Sequence, residues 1–312
     1  MAAPLVVIVG PTAVGKTAVG IGVARRLGGE ILSGDSMQVY RLMDIGTDKP
    51  TVEERRGVPH HLIDIVYPHE DFSVADFQRR ASMAIADIWE RGRLPLLVGG
   101  TGLYISAVIQ GYYFPELPAD RGLRALLTAR AREQGGEELH RELLEIDPDT
   151  ARRVHPHDLR RLVRALEVYY RTGRSLSSFK REQGGRSPYD LLVLGLIMDR
   201  QTIYRRIEKR VDRMLERGLV EEVAGLLGQG YHEQLKPMQG LGYKELTAYL
   251  LGRSTLAEAV RLLKRNTRHL AKRQLTWFRR DPRIHWLSLE EDTKVDDVVA
   301  KIVRIIAGKW KL

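Results

Sequence analysis

Along the first hundred residues, short runs of Val, Leu and Ile alternate with stretches in which apolar residues recur at helical spacing. The runs at residues 5–9, 30–33, 61–65 and 94–98 are each bounded by turn residues and followed by a helix-like segment. That order is the signature of consecutive βαβ units. Runs so uniformly apolar fit parallel strands covered on both faces, where a half-exposed strand would alternate apolar with polar positions. Two more runs come late, at residues 191–197 and 284–287, with long helix-like stretches between them reaching Trp277.

From Phe114 to about Pro188 the strand signal stops. Helical periodicity takes over at residues 123–134, 137–146 and 159–172. This predicts a helical insertion at 114–188 that divides an α/β core into residues 1–113 and 189–312. Pro115 and Pro118 would open the insertion and Gly184-Gly185 would close it, as linker chemistry requires. No internal repeat and no low-complexity tract interrupts the pattern.

Composition narrows this picture. At 312 residues the chain is long enough for such a core with one smaller unit. No stretch holds the eighteen or so uncharged apolar residues of a membrane span. The start of the chain lacks the basic region and cleavage site of a signal peptide. The absence of cysteine excludes disulfides and thiolate-bound zinc and fits a cytoplasmic protein. Lys and Arg outnumber Asp and Glu by 50 to 40, for a formal charge of +10. A polyanionic partner explains that excess, and so does a lineage that simply favours Arg.

Candidate chemistry begins at the first strand. Gly10-Pro11-Thr12-Ala13-Val14-Gly15-Lys16-Thr17 fits GxxxxGK[ST] at every fixed position, after a strand-like run and before a helix-like one. Backbone N–H groups of such a loop converge on a phosphate chain, Lys16 adds a point charge, and Thr17 can ligate Mg²⁺. The motif does not say what carries the phosphates. No early strand ends in a convincing Walker-B aspartate with a following catalytic carboxylate, and Asp64 is the nearest candidate.

Asp35 lies just past the second strand, at the strand end where open α/β sheets bind ligands. It also suits a helix cap. Gly99-Gly100-Thr101-Gly102-Leu103-Tyr104 follows the fourth strand and would face the same crevice, its glycines admitting close backbone approach. Further on, Arg261, Arg265, Arg268, Lys272 and Arg279 fall on one face of a helix-like stretch at 261–280. Leu263 and Leu270 lie on another face, so the helix can pack while offering a basic stripe to RNA phosphates. Trp277, Phe278 and Tyr243 are candidates for stacking on bases or for the core.

Taken together, the chain resembles the bacterial tRNA dimethylallyltransferase family. The likeness rests on the Gly10-to-Thr17 loop, Asp35-Ser36-Met37-Gln38-Val39-Tyr40 with Met43-Asp44-Ile45-Gly46-Thr47, and His60-His61-Leu62-Ile63-Asp64. It continues through Gly99-Gly100-Thr101-Gly102-Leu103-Tyr104, His155-Pro156-His157-Asp158 with Arg164-Ala165-Leu166-Glu167, and Gln239-Gly240-Leu241-Gly242-Tyr243-Lys244-Glu245. It ends at Lys272-Arg273-Gln274-Leu275-Thr276-Trp277-Phe278-Arg279. His157 departs from the Asn of many relatives, and the zinc module of eukaryotic relatives is missing. The fold expected is a P-loop NTPase-like parallel sheet flanked by helices, with the helical domain inserted.

The resemblance implies transfer of a dimethylallyl group from dimethylallyl diphosphate to N6 of the adenosine 3′-adjacent to the tRNA anticodon. The loop then holds the diphosphate of an alkyl donor with Mg²⁺, and the missing Walker-B machinery ceases to be a puzzle. Asp35 is expected to take the N6 proton, with Thr101 orienting the reactants and Arg210 neutralising the leaving group. Implied tRNA contacts are Asp35, Ser36, Met37, Gln38, Thr101, Arg124, Arg160, Arg161, Arg164, Gln239, Gly242, Tyr243, Lys244, Lys272, Arg273 and Arg279. The expected form is a monomer without a membrane partner. Competing readings are a free-adenylate prenyltransferase, an ATP-dependent small-molecule kinase and a nucleotide-regulated RNA-binding protein.

Overall fold

A computed structural model of the chain describes residues 2–112, 114, 120–182 and 187–310. Its contacts form two compact units, Met1–Ile109 with Pro188–Leu312, and Gln110–Ser187. Pro115, Pro118 and Gly184-Gly185, the expected linker residues, lie outside the described residues.

The larger unit is built on one parallel sheet of β1 (Pro4–Val9), β2 (Glu30–Ser33), β3 (His60–His61), β4 (Pro95–Gly99), β5 (Asp190–Met198) and β6 (Ile284–Leu289). Their spatial order is β3-β2-β4-β1-β5-β6. The central strand is buried along its whole length: Leu5, Val7 and Val9 enter one apolar cluster, and Val6 and Ile8 enter another on the opposite face. This is why its sequence shows no alternation.

One expected strand is much shorter than its apolar run. The stretch 61–65 contributes only His61 to β3, because Leu62 and Asp64 adopt φ of 66° and 56°. That left-handed backbone cannot continue a ladder. A single parallel bridge between Tyr40 and Val66 resumes contact beyond it.

Helices of this unit are α1 (Lys16–Leu27), α2 (Val52–Arg55), α3 (Val74–Glu90) and α4 (Gly102–Ile109). Those of the smaller unit are α5 (Arg121–Gln134), α6 (Gly136–Ile146), α7 (Pro148–Ala151), α8 (Leu159–Thr172) and α9 (Leu176–Glu182). The larger unit then adds α10 (Arg200–Glu216), α11 (Leu219–Gly228), α12 (Tyr243–Leu250), α13 (Leu256–Phe278) and α14 (Val295–Lys309). The basic helix expected at 261–280 starts earlier, because Thr255 and Glu258 form a reciprocal capping box. Leu127, Leu139, Leu143, Leu162 and Leu166 give the smaller unit an apolar core of its own. Among the described residues no helix is long and apolar enough to cross a membrane.

Candidate active site

The Walker-type loop leaves β1 at Val9 and enters α1 at Lys16. Gly15 takes φ 102° as the helix N-cap, a conformation that favours glycine, and no side chain caps the helix. The first-turn amides and the positive end of α1 therefore face the loop's concavity. Lys16 Nζ donates to Pro11 O at 2.8 Å. Burial, with the nearby Arg210 guanidinium, pushes the Lys16 ammonium down to about 8, against the opposing pull of Asp35 and Asp48. Thr17 is exposed on the same turn.

The loops after β2 and β4 are joined to each other. Thr101 N donates to Gly34 O at 3.1 Å, and Thr101 Oγ1 accepts from Ser36 N at 3.0 Å. Asp35 Oδ1 accepts from Met37 N at 2.8 Å. No helix follows Asp35, so its alternative reading as a helix cap is set aside in favour of a turn contact. Among the described residues this is the single hydrogen bond of the carboxylate, which leaves Oδ2 as an acceptor. Gln38 ties the same loop down: its Oε1 accepts from Ser33 Oγ at 2.7 Å, and its Nε2 donates to Thr47 O and Asp48 O.

Arg210, on α10, reaches the phosphate loop. Its Nη1 donates to Thr12 Oγ1 at 2.9 Å and lies 3.3 Å from Asp48 Oδ2. Asp64, the nearest Walker-B candidate, is instead engaged with the buried Lys49, whose ammonium lies 2.6 Å from Asp64 and 2.7 Å from Asp44. Its carboxylate thereby braces that loop.

Two side chains that the sequence does not single out complete the site. Gln274, on α13, accepts from Thr12 N at 2.8 Å and donates to Gly100 O at 2.9 Å. A Cβ at Gly100 would push the Gln274 amide out of this position. Asp48 is the other, paired to Arg210. Gln274 stands inside a family-like block, but nothing in its spacing marks it, because both partners lie far away in sequence.

The residues expected to contact RNA divide sharply. Lys272, Arg273 and Arg279 are exposed, and like Arg265 they make no ion pair among the described residues. Arg268 does not belong with them: it is paired to Glu208 on α10 at 2.8 Å. Gln239 and Lys244 are exposed, and Gly242 is the buried N-cap of α12. Tyr243 cannot stack on a base. It is fully buried, and its hydroxyl donates to Glu222 at 2.7 Å. Phe278 is likewise core, whereas Trp277 is 38% exposed.

In the smaller unit Arg160 and Arg161 are exposed. Arg124 and Arg164 have a structural partner: both hold the buried Glu167, at 2.8 and 2.7 Å, and keep its carboxyl below the usual carboxylate range. His157 is exposed and 4.0 Å from Glu137.

A parallel sheet, a glycine loop capped by a helix N-terminus, and a carboxylate loop beside it define a P-loop-type α/β protein. The model of the IPP transferase family matches residues 38–281, and that of isopentenyl transferase matches residues 3–65. The chain belongs to the IPP transferase family. It is 52% identical over 305 residues to a tRNA dimethylallyltransferase of Pelotomaculum thermopropionicum, covering 98% of this chain and 97% of that protein. Its structure is similar to that of the tRNA isopentenylpyrophosphate transferase of Bacillus halodurans, with 49% identity, TM-score 0.74, and coverage of 98% and 96%. It is also similar to a eukaryotic dimethylallyltransferase acting on tRNA, with 31% identity, TM-score 0.83, and coverage of 98% and 78%.

Proposed function

We propose that the chain transfers the dimethylallyl group of dimethylallyl diphosphate to N6 of the adenosine 3′-adjacent to the anticodon in tRNA, releasing diphosphate. The observation that carries this reading is a phosphate-loop cation pair, Lys16 and Arg210, near enough to Asp35 for that carboxylate to act on the Lys16 charge, while Asp35 keeps an uncommitted oxygen. The family of relatives that act on tRNA supports it.

Adenine N6 is a weak nucleophile because its lone pair is delocalised into the ring, whereas an allylic C–O bond breaks readily once its diphosphate is neutralised. Stabilising the leaving group therefore matters most. Lys16, Arg210 and the loop amides take that part. The C–N bond forms as the C–O bond breaks, the electron pair leaves with the diphosphate, and the N6 proton passes to Asp35. Thr101, fixed between Gly34 and Ser36, orients the reactants.

Among the described residues no three His, Asp or Glu side chains converge to hold a metal by themselves. The exposed Thr17 hydroxyl at the start of α1 fits the usual Mg²⁺ arrangement, in which most ligands are phosphate oxygens and water. Mg²⁺ held there would supply further positive charge to the leaving diphosphate.

An adenine stacked in an anticodon loop must swing out to reach this crevice, at a cost of a few kcal/mol. Contacts to exposed Lys272, Arg273 and Arg279, and to Arg160 and Arg161, offset it. The working form in this reading is a cytoplasmic monomer.

The test is incubation with Mg²⁺ and dimethylallyl diphosphate, offering unmodified tRNA in one arm and AMP or ATP in another. Diphosphate release with addition of one dimethylallyl group to a tRNA adenosine is expected. Transfer to AMP but not tRNA would move the assignment to a free-adenylate prenyltransferase, and consumption of ATP alone to a kinase.

A further inference from the structure

We infer that Glu222 is a positioning residue for the transfer, acting on Arg210 through the loop of residues 43–49; the inference rests on the proposed function. Glu222 lies on α11 and is absent from every motif of the site. Its carboxylate nevertheless gathers four donors. Oε2 accepts from the amides of Asp44 at 2.9 Å and Ile45 at 2.7 Å, and Oε1 accepts from the amide of Gly46 at 3.1 Å and the Tyr243 hydroxyl at 2.7 Å. Three successive amides around one anion form a closed nest, which fixes the backbone that supplies them. Burial and the adjacent carboxylate raise the Tyr243 phenol above its ordinary value, so it stays a donor.

The far end of the loop is fixed separately by Lys49, which is 5% exposed and donates to Tyr40 O, Asp44 and Asp64. Between the two anchors lie the groups that reach the reaction. The Thr47 and Asp48 carbonyls accept from Gln38, which steadies the Asp35 loop, and the Asp48 carboxylate stands 3.3 Å from Arg210. Asp48 sits at φ 53°, a left-handed conformation that Asp tolerates better than most residues. The placement of Arg210 against Thr12 therefore depends on an anchor outside the crevice. Nothing in this chain of contacts touches the exposed basic residues of α13, so the share of tRNA affinity that those residues supply is not expected to depend on it.

The experiment compares transfer by wild type, Glu222→Gln, Arg210→Ala and the double variant, with tRNA KM and kcat separated. The Gln amide cannot accept from the loop and the Tyr243 hydroxyl at both ends. Displacing a catalytic cation by about 1 Å costs on the order of a hundredfold, so Glu222→Gln should lower kcat by about tenfold to a hundredfold and leave tRNA KM within about twofold. In the Arg210→Ala background the same change should cost several-fold less than in wild type, since the branch that ends on Arg210 has lost its target and only the branch through Gln38 remains. An equal loss in both backgrounds, or wild-type kcat in Glu222→Gln, overturns the inference. If Glu222→Gln does not fold, Tyr243→Phe, which removes one of the four donors, is compared in the same two backgrounds by the same criterion. Wild-type protein that transfers nothing overturns the proposed function itself and the inference with it.

Discussion

The side-chain oxygen of Gln274 accepts a hydrogen bond from the amide of Thr12 at 2.8 Å, so the phosphate loop is braced from the basic helix α13. The other end of the same side chain binds Gly100 O beside Thr101. Gln274→Ala strands a donor and an acceptor and should cost about 1–2 kcal/mol of stability. Gln274→Glu keeps the acceptor but adds negative charge beside the loop. It should weaken dimethylallyl diphosphate binding more than Gln274→Ala does, which calorimetric titration of both variants will measure.

Among the described residues Asp35 is held by one hydrogen bond, from Met37 N. Asp35→Ala should leave dimethylallyl diphosphate affinity nearly unchanged and lower turnover by about 10²-fold or more, the range expected when a general base is removed. Near-wild-type turnover removes Asp35 from the mechanism.

Burial, and then the Arg210 guanidinium, push the Lys16 ammonium down to about 8. An anionic ligand favours the protonated form, so affinity for dimethylallyl diphosphate should be flat below about pH 7 and fall as pH rises through about 8, by up to tenfold per unit. Lys16→Arg keeps its charge throughout and should flatten that fall. Titrations from pH 6.5 to about 9.5 check both curves.

Exposed cations on α13 should make tRNA affinity strongly salt-dependent. Replacing Lys272, Arg273 or Arg279 by Ala should reduce the log–log salt slope by about 1 for each phosphate that the side chain had neutralised. Arg268→Ala, whose side chain is paired to Glu208, should change it little. A tRNA affinity insensitive to salt would dismiss the basic surface as an RNA-binding face.

Glu30, buried in β2, is bound by Arg91 and His61, and its carboxyl is held down at about 2, chiefly by the Arg91 hydrogen bonds. A carboxyl lowered on folding contributes stability that is complete above its unfolded value and is lost as pH falls through its folded value. Glu30→Gln should therefore cost about 1–3 kcal/mol at pH 7. The gap from wild type should close as pH falls from about 4.5 toward 2. Paired denaturation curves across that range measure it.

Features fixed by local spacing are legible in the sequence. The phosphate loop, the apolar strands around it and the position of Asp35 each depend on a dozen neighbouring residues at most. What escapes depends on distant partners. Gln274 and Glu222 look like ordinary polar helix residues until the fold brings Thr12 and the loop at 43–49 to them. Tyr243, which the sequence leaves open between base stacking and the core, is decided by a distant partner, since its hydroxyl is satisfied inside the core by Glu222. Arg268 misleads because its acidic partner sits on α10, not on its own helix. The run at 61–65 has strand composition, yet two left-handed residues within it end the pairing.

The parallel pairing of β1 with β5 sets Val7 beside Val193, with the whole smaller unit lying between them in the chain. The strand that launches the phosphate loop is thus the first one made and must wait for its neighbour until nearly two-thirds of the chain has been synthesised. Long-range parallel pairings of this kind are slow to form and leave apolar edges open meanwhile. The intervening helices, which bury an apolar cluster of their own, can collapse during that interval and shorten the excursion the two strands must close. Assembly of the catalytic crevice is accordingly a late event in the birth of the molecule, and a nascent chain halted before residue 190 holds the phosphate-binding motif on a strand that still lacks one flank.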